Sequence, residues 1–420
     1  MSGKRSLLVV VGAAGLLGLA IGLASAQPAL TPVEQLGKSI FFDQALSLNV
    51  NQSCATCHAP EWGFTGPDSA VNAHGAVYEG SIAGRFGDRK PPTSAYADLS
   101  PILHLDRGTW TGGNFWDGRA TGAKLGNPAA DQAQGPFLNP KEQALPDSAC
   151  VVHRVCTAPG YPFSLEDVWG TGVCSITWPA TIETTCATEG GYADLGSGDR
   201  VKSDSAYDLI ALSVAAYEGS PEVNRFSSKY DLSFGGPAKL DRLEQRGLAL
   251  FRGKAGCARC HPSNGKEALF TDFTFDNLGI PQNPENPAGI APAFVDPGLG
   301  GFLESAGYDE DVYEPEWGKH KVPTLRNVDL RPAGTDVKAF GHNGYFKSLE
   351  SIVHFYNTRD VLPTCPGAYS EAEALAEGCW PPPEVAENVN TDELGDLGLS
   401  PDEEAAIVAF LRALSDGWTP

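Results

Sequence analysis

Cys54-Ala55-Thr56-Cys57-His58 and, about 200 residues later, Cys257-Ala258-Arg259-Cys260-His261 are two copies of one pattern, C-x-x-C-H. Two thiols at this spacing add across the vinyl groups of one haem, and the adjacent His ligates its iron from one face. With 10 Cys and 8 His in 420 residues, coincidence does not explain the pattern twice. Zinc would need two further Cys or His at knuckle spacing near each run, and neither run has them. A redox dithiol needs no His after its second Cys. The reading is two covalently attached haems of the c type, held by Cys54, Cys57, Cys257 and Cys260, with His58 and His261 on the irons.

Haems of this type are attached on the outer side of the bacterial inner membrane, and the N-terminus fits export. Residues 1–26 read as a cleavable signal peptide: Lys4-Arg5, an uncharged apolar stretch from Leu7 to Leu23, then Ala24-Ser25-Ala26. No later stretch reaches the roughly 18 consecutive apolar residues that a membrane span needs, so the mature chain is expected in the periplasm and not across the membrane. In that oxidising compartment Cys150, Cys156, Cys174, Cys186, Cys365 and Cys379 read as three disulfides. Cys365 is expected to pair with Cys379, while the other four leave three connectivities open. A metal site of Cys150, His153 and Cys156 is the alternative. The formal net charge of -22, more negative once Lys4 and Arg5 are removed, disfavours nucleic acid and anionic lipid as partners. It favours a donor protein with a basic face.

Each haem motif follows a helix-like run. Thr31-Pro32-Val33-Glu34 is a capping box with Pro at the first helical position, followed by Leu36, Ile40 and Phe41. The second run, 240–251, places Leu240, Leu243, Gly247, Leu248 and Phe251 on one face. A helix over 203–217 closes the first unit, Gly235-Gly236-Pro237 punctuates the chain, and a last helix opens at Ser400-Pro401-Asp402-Glu403. The expected fold is mainly α: two cytochrome c-like haem domains, 27–235 and 236–420, with a disulfide-stapled insertion at 147–190. Long Gly- and Pro-rich loops fill 139–198 and 280–316, and strand content should be minor.

Around the haems the chain resembles the bacterial dihaem cytochrome c peroxidase and MauG family. The resemblance rests on Leu36-Gly37-Lys38-Ser39-Ile40-Phe41-Phe42-Asp43, Phe115-Trp116-Asp117-Gly118-Arg119-Ala120, Gln134-Gly135-Pro136, Asn139-Pro140-Lys141-Glu142, Val322-Pro323-Thr324-Leu325-Arg326-Asn327-Val328 and His342-Asn343-Gly344, in family order. It implies an oxidoreductase with hydrogen peroxide as acceptor, reacting at the first haem. Electrons come through the second haem from a small donor protein, a c-type cytochrome or a cupredoxin. The resemblance further implies that Glu142 moves the proton, that Gln134 polarises the O–O bond, that Trp116 carries a hole between the haems, and that His74 caps the first iron at rest. From the residues themselves, Asp117 and Arg119 are expected to form a buried pair and Arg119 or Arg326 to contact a haem propionate, and the family is compatible with a homodimer.

Two departures matter. Family peroxidases place a Met before the His-Asn-Gly run as the second ligand of the second haem; here that residue is Gly341, and the chain's single Met is the initiator. The candidates left are His342, Tyr345, His354 and Tyr356. MauG-like members of the family use Tyr there and oxidise residues of a partner protein, so that activity stands as the alternative to a peroxidase; a dihaem electron-transfer protein without catalysis is a third. The family's calcium site has an Asn where this chain has Lys90, and a cation repels calcium, so that ion is disfavoured.

Overall fold

The computed structural model describes residues 28–287 and 294–419; the signal peptide expected at 1–26 lies outside the described residues. The helices that frame the sites are α1 (Pro32–Phe42), α2 (Pro128–Leu138), α3 (Ser148–Thr157), α4 (Ser197–Glu218), α5 (Arg242–Arg252), α6 (Leu349–Thr358) and α7 (Pro401–Arg412). Strand among the described residues is limited to two short antiparallel pairs, β1 (His104–Asp106) with β2 (Thr109–Thr111) and β3 (Phe275–Asp276) with β4 (His320–Lys321).

Two hydrophobic cores are built by one device used twice. The capping boxes of Thr31 with Glu34 and of Asp241 with Glu244 start α1 and α5 by satisfying their first orphan N–H groups. Each helix is then crossed at a glycine by the helix that ends its half. A Cβ on Gly37 would lie 1.8 Å from the carbonyl oxygen of Ser213 in α4, and one on Gly247 would lie 1.9 Å from that of Ala406 in α7. Only Gly permits so close an approach of two backbones. One turn further on, Phe41 packs edge-on against Tyr217 at 5.4 Å and Phe251 against Phe410 at 5.2 Å. Tyr230, wholly buried, already belongs to the second core. The expected apolar face of α5 is partly different: Leu243 is exposed, and Glu244 is buried instead because Lys229 pairs with it at 2.7 Å.

The duplication extends beyond the helices. Thr65 and Thr271 donate to the carbonyls of Pro91 and Val322 at 2.6 and 2.7 Å. Thr93 and Thr324 donate back to those of Gly63 and Leu269 at 2.7 and 2.6 Å. Lys90 and Lys321 precede these Pro-Thr turns, and their backbone N–H groups cross between the halves: Lys90 donates to the carbonyl of His342 at 2.8 Å, Lys321 to that of Trp116 at 2.7 Å. Trp116 and His342 are thus equivalent positions, each two residues before a left-handed glycine, Gly118 and Gly344.

Buried lysines also fasten the seam. Lys338 donates to the carbonyls of Trp62, Asn327 and Leu330 at 2.9, 2.8 and 3.0 Å. Lys321 donates to Ser100 Oγ at 2.7 Å, Asn114 Oδ1 at 3.0 Å and the Gly113 carbonyl. Burial lowers both pKa values, that of Lys321 to about 7. Yet three carbonyls can only accept, and a neutral amine has only two N–H groups, so the cage around Lys338 is built for the charged form.

The Cys-rich insertion is more regular than its composition suggests. Cys150–Cys186 and Cys156–Cys174 are disulfides, which overturns the alternative metal site with His153, and Cys365–Cys379 closes the third bridge as expected. α3 carries Ala149, Val151, Val152 and Val155 into the first core, and Asp147 both caps it and pairs with Arg200 of α4 at 2.7 Å. Gly298–Ser305 is likewise helical within the expected 280–316 loop.

Candidate functional site

Both C-x-x-C-H motifs open onto one cavity of about 640 Å³ that runs between the two cores. Cys54, Cys57, Cys257 and Cys260 line it, half-buried and outside the disulfides. His58 Nδ1 donates to the carbonyl of Phe64 at 3.1 Å, and His261 Nδ1 donates to that of Phe270 at 2.7 Å. This bond fixes the tautomer that offers Nε2 to a metal, and burial keeps both rings neutral, His58 at about 4. Phe64 and Phe270 both hold φ near +55°, at 59° and 52°. A bulky residue in that region costs about 1–3 kcal/mol, so the halves accept the same strain to aim the same carbonyl. Four thiols, two preset imidazoles and an apolar-lined cavity fit two covalently attached haems.

The first compartment is polar. Glu142 lines it, partly buried; desolvation raises its pKa, against the pull of Arg119, while Asn139 Nδ2 donates to Oε1 at 2.7 Å. Glu218 also faces the cavity, 3 % exposed, with burial and Asp98 pushing it up to about 8. Gln134 is not brought there: its amide donates to Asp208 Oδ1 at 2.7 Å, and Lys124 holds its oxygen at 2.7 Å. Gln132, two residues earlier on α2 and so on another face, lines the cavity instead. His74 is not brought there either. Its side chain is 73 % exposed, with Nδ1 3.4 Å from Glu285 of the second half.

The second compartment is walled mainly by aliphatic side chains, Ile352, Val353, Leu397, Leu399, Ile407 and Leu411, with Asp276 and Glu393 at its edge beside Cys260. Of the four candidate ligands, Tyr356 on α6 and His342 line the cavity; among the described residues the Tyr356 hydroxyl has no hydrogen-bond partner, and burial raises its pKa. Tyr345 donates to the Tyr369 carbonyl at 3.1 Å and His354 pairs with Glu404 at 3.1 Å. His342 is held through one ring nitrogen: Nε2 donates to Glu384 at 2.9 Å, and the ring stacks on His320 at 3.7 Å. Asp296, His320 and His342 lie close enough to hold an ion, but Arg89 occupies both oxygens of Asp296 at 2.6 Å.

Trp116 sits in the wall that both halves share, 8 % exposed, its indole N–H donating to the Lys90 carbonyl at 2.8 Å. Asp117 pairs with Arg119 at 2.7 Å and with the more deeply buried Arg89 at 2.6 Å. Arg119 stacks on Phe115 at 3.7 Å. Arg326 is fully buried in a two-point pair with Asp231, at 2.8 and 2.9 Å, which commits it to the core. The Lys90 ammonium donates to Thr65 Oγ1 at 3.0 Å and the Pro91 carbonyl at 3.1 Å, and burial lowers it to about 8.

Two haem attachment sites on one cavity, with Glu142 and Glu218 facing the first of them, define a dihaem oxidoreductase. The family model described as di-haem cytochrome c peroxidase matches residues 32–239. The chain is 35% identical to the methylamine utilization protein MauG of Paracoccus denitrificans (strain Pd 1222), over 93% of this chain and 90% of that protein. It is 26% identical to the cytochrome c551 peroxidase of Nitrosomonas europaea, over 77% and 74%. The crystal structure of the diheme peroxidase BthA from Burkholderia thailandensis E264 superposes with a TM-score of 0.70 at 28% identity, covering 94% of this chain and 88% of that one. The protein belongs to the dihaem cytochrome c peroxidase and MauG family, and with it come two covalently bound haems and oxidoreductase activity.

Proposed function

We propose that this protein is a periplasmic, MauG-like enzyme that uses hydrogen peroxide to oxidise a partner protein, and that it does so from the fully oxidised state. The observation that carries this reading is His74, turned out to solvent and into the second half rather than toward the first haem's cavity. When bound, the haems supply the redox chemistry, taking peroxide at one iron and passing electrons at the other. The chain supplies protons and geometry. Reducing one peroxide to two waters consumes two electrons and two protons. Glu142, kept protonatable by burial and oriented by Asn139, is the group placed to take a proton from one peroxide oxygen and return it to the other. Trp116, clamped by the backbones of Lys90 and Lys321, bridges the compartments as an oxidisable side chain. Tyr356 is the side chain placed to complete the second iron's ligation, a harder donor than the thioether it replaces.

A second reading, a peroxidase fed by a small c-type cytochrome or cupredoxin, is favoured by the peroxidases among the relatives and by the acidic surface. Stopped-flow spectra separate the two. Peroxide mixed with the oxidised protein should give a long-lived spectral change with little turnover of a reduced small cytochrome. Rapid cytochrome oxidation that begins only after half-reduction would instead establish the peroxidase.

A further inference from the structure

The segment that carries His74 is fastened, not loose. Lys347 donates to the carbonyl of His74 and, at 2.7 Å, to that of Gly344. The Asn283 amide lies within reach of four carbonyls, of His74 at 3.4 Å and of Gly75, Asn343 and Gly344 at 3.2 Å each. Gly75 is pressed onto the second half so closely that a Cβ would lie 2.9 Å from Asn286 Oδ1, and one on Gly344 would lie 2.3 Å from the Ala76 Cβ. Ala76 and Val77, which follow, are buried. Carbonyls of both halves thus converge on two donors of the second, while the imidazole itself is left in solvent.

We propose that Lys347 and Asn283 are positioning residues that hold the His74 segment against the second half and so keep the open coordination site of the first haem free of a protein ligand. The inference rests on the proposed activity from the oxidised state and names its structural cause. Neither side chain lines the haem cavity, so their effect is exerted through the backbone of His74 and Gly75. Removing the ammonium leaves the carbonyl of His74 without its charged donor, and removing the Asn283 amide frees the adjoining turn.

The test uses the full holoprotein, oxidised, with haem content checked by its pyridine spectrum, and reads the spin state of the first haem by electron paramagnetic resonance. Wild type should contain one high-spin haem. K347M, and more strongly K347M with N283A, should convert a measurable fraction of it to low spin, K347R should not, and adding H74A should restore high spin. An unchanged spin state in K347M with N283A, or low spin that survives H74A, would overturn the latch alone. A first haem already low-spin in wild type would overturn both the latch and the proposed activity.

Discussion

Glu218 and Leu411 occupy the same place in the two halves. Each stands five residues beyond the point where a closing helix crosses a glycine, and each faces its haem compartment. Around them the scaffold is shared: crossing glycines, Phe41 and Phe251, the strained Phe that orients the proximal His, the paired Thr hydroxyls. The linings are not. The first compartment has Glu142, Glu218 and Gln132; the second has a mainly aliphatic wall with Tyr356, and its carboxylates, Asp276 and Glu393, gather beside Cys260. What holds a haem is therefore separable from what the haem is given to do, and the two can be altered independently.

The largest expected effect tests the lining. Glu142→Gln should lower peroxide turnover by about 10²–10⁴-fold, the range for a positioned proton-transfer group, while both haems stay attached. Undiminished turnover would take Glu142 out of the chemistry. Next comes the scaffold: Gly37→Ala and Gly247→Ala should each cost about 3 kcal/mol or more in urea unfolding of the holoprotein, because the obstacle is backbone. A large cost at one and none at the other would break the equivalence of the halves.

Tyr356→Met should raise the reduction potential of the second haem by on the order of 0.1 V and leave the first unchanged. A potentiometric titration in which neither haem moves would remove Tyr356 from ligation. The smallest effect concerns Glu218. In the unfolded chain it releases its proton near the ordinary 4.5, in the folded protein near 8. Between those values the unfolded state binds fewer protons, so this group's contribution falls as pH rises from 4.5 to 8 and is level above. Glu218→Gln should therefore gain roughly 1–3 kcal/mol over wild type at pH 8 relative to pH 5. Equal differences at both pH values would show that the carboxyl is not held neutral.

Features with a local cause were legible in the sequence. The haem motifs, the capping boxes at Thr31 and Ser400 and the Cys365–Cys379 bridge all depend on residues within a few positions or one short loop. Features set by helix phase or by the other half were not. Gln134 matches the family motif, yet its place on α2 points it at Asp208. His74 lies in the expected segment, but Lys347 and Asn283, more than 200 residues away, decide where it goes. α3 was hidden because Cys, Pro and Gly around it mask a short apolar face, which disulfides rather than periodicity secure. The duplication itself was within reach: Phe-Thr at 64–65 and 270–271, each followed by a Lys-x-Pro-Thr turn, repeats in plain text.

The caged lysines at the seam carry a consequence for how the protein meets its surroundings. A bound ion holding two lobes together must be recruited at some concentration and is lost to any stronger competitor. Lys321 and Lys338 bring the N–H donors on their own covalent stems, so the spacing of the two redox centres should be indifferent to chelators, to dilution and to the mineral content of the medium.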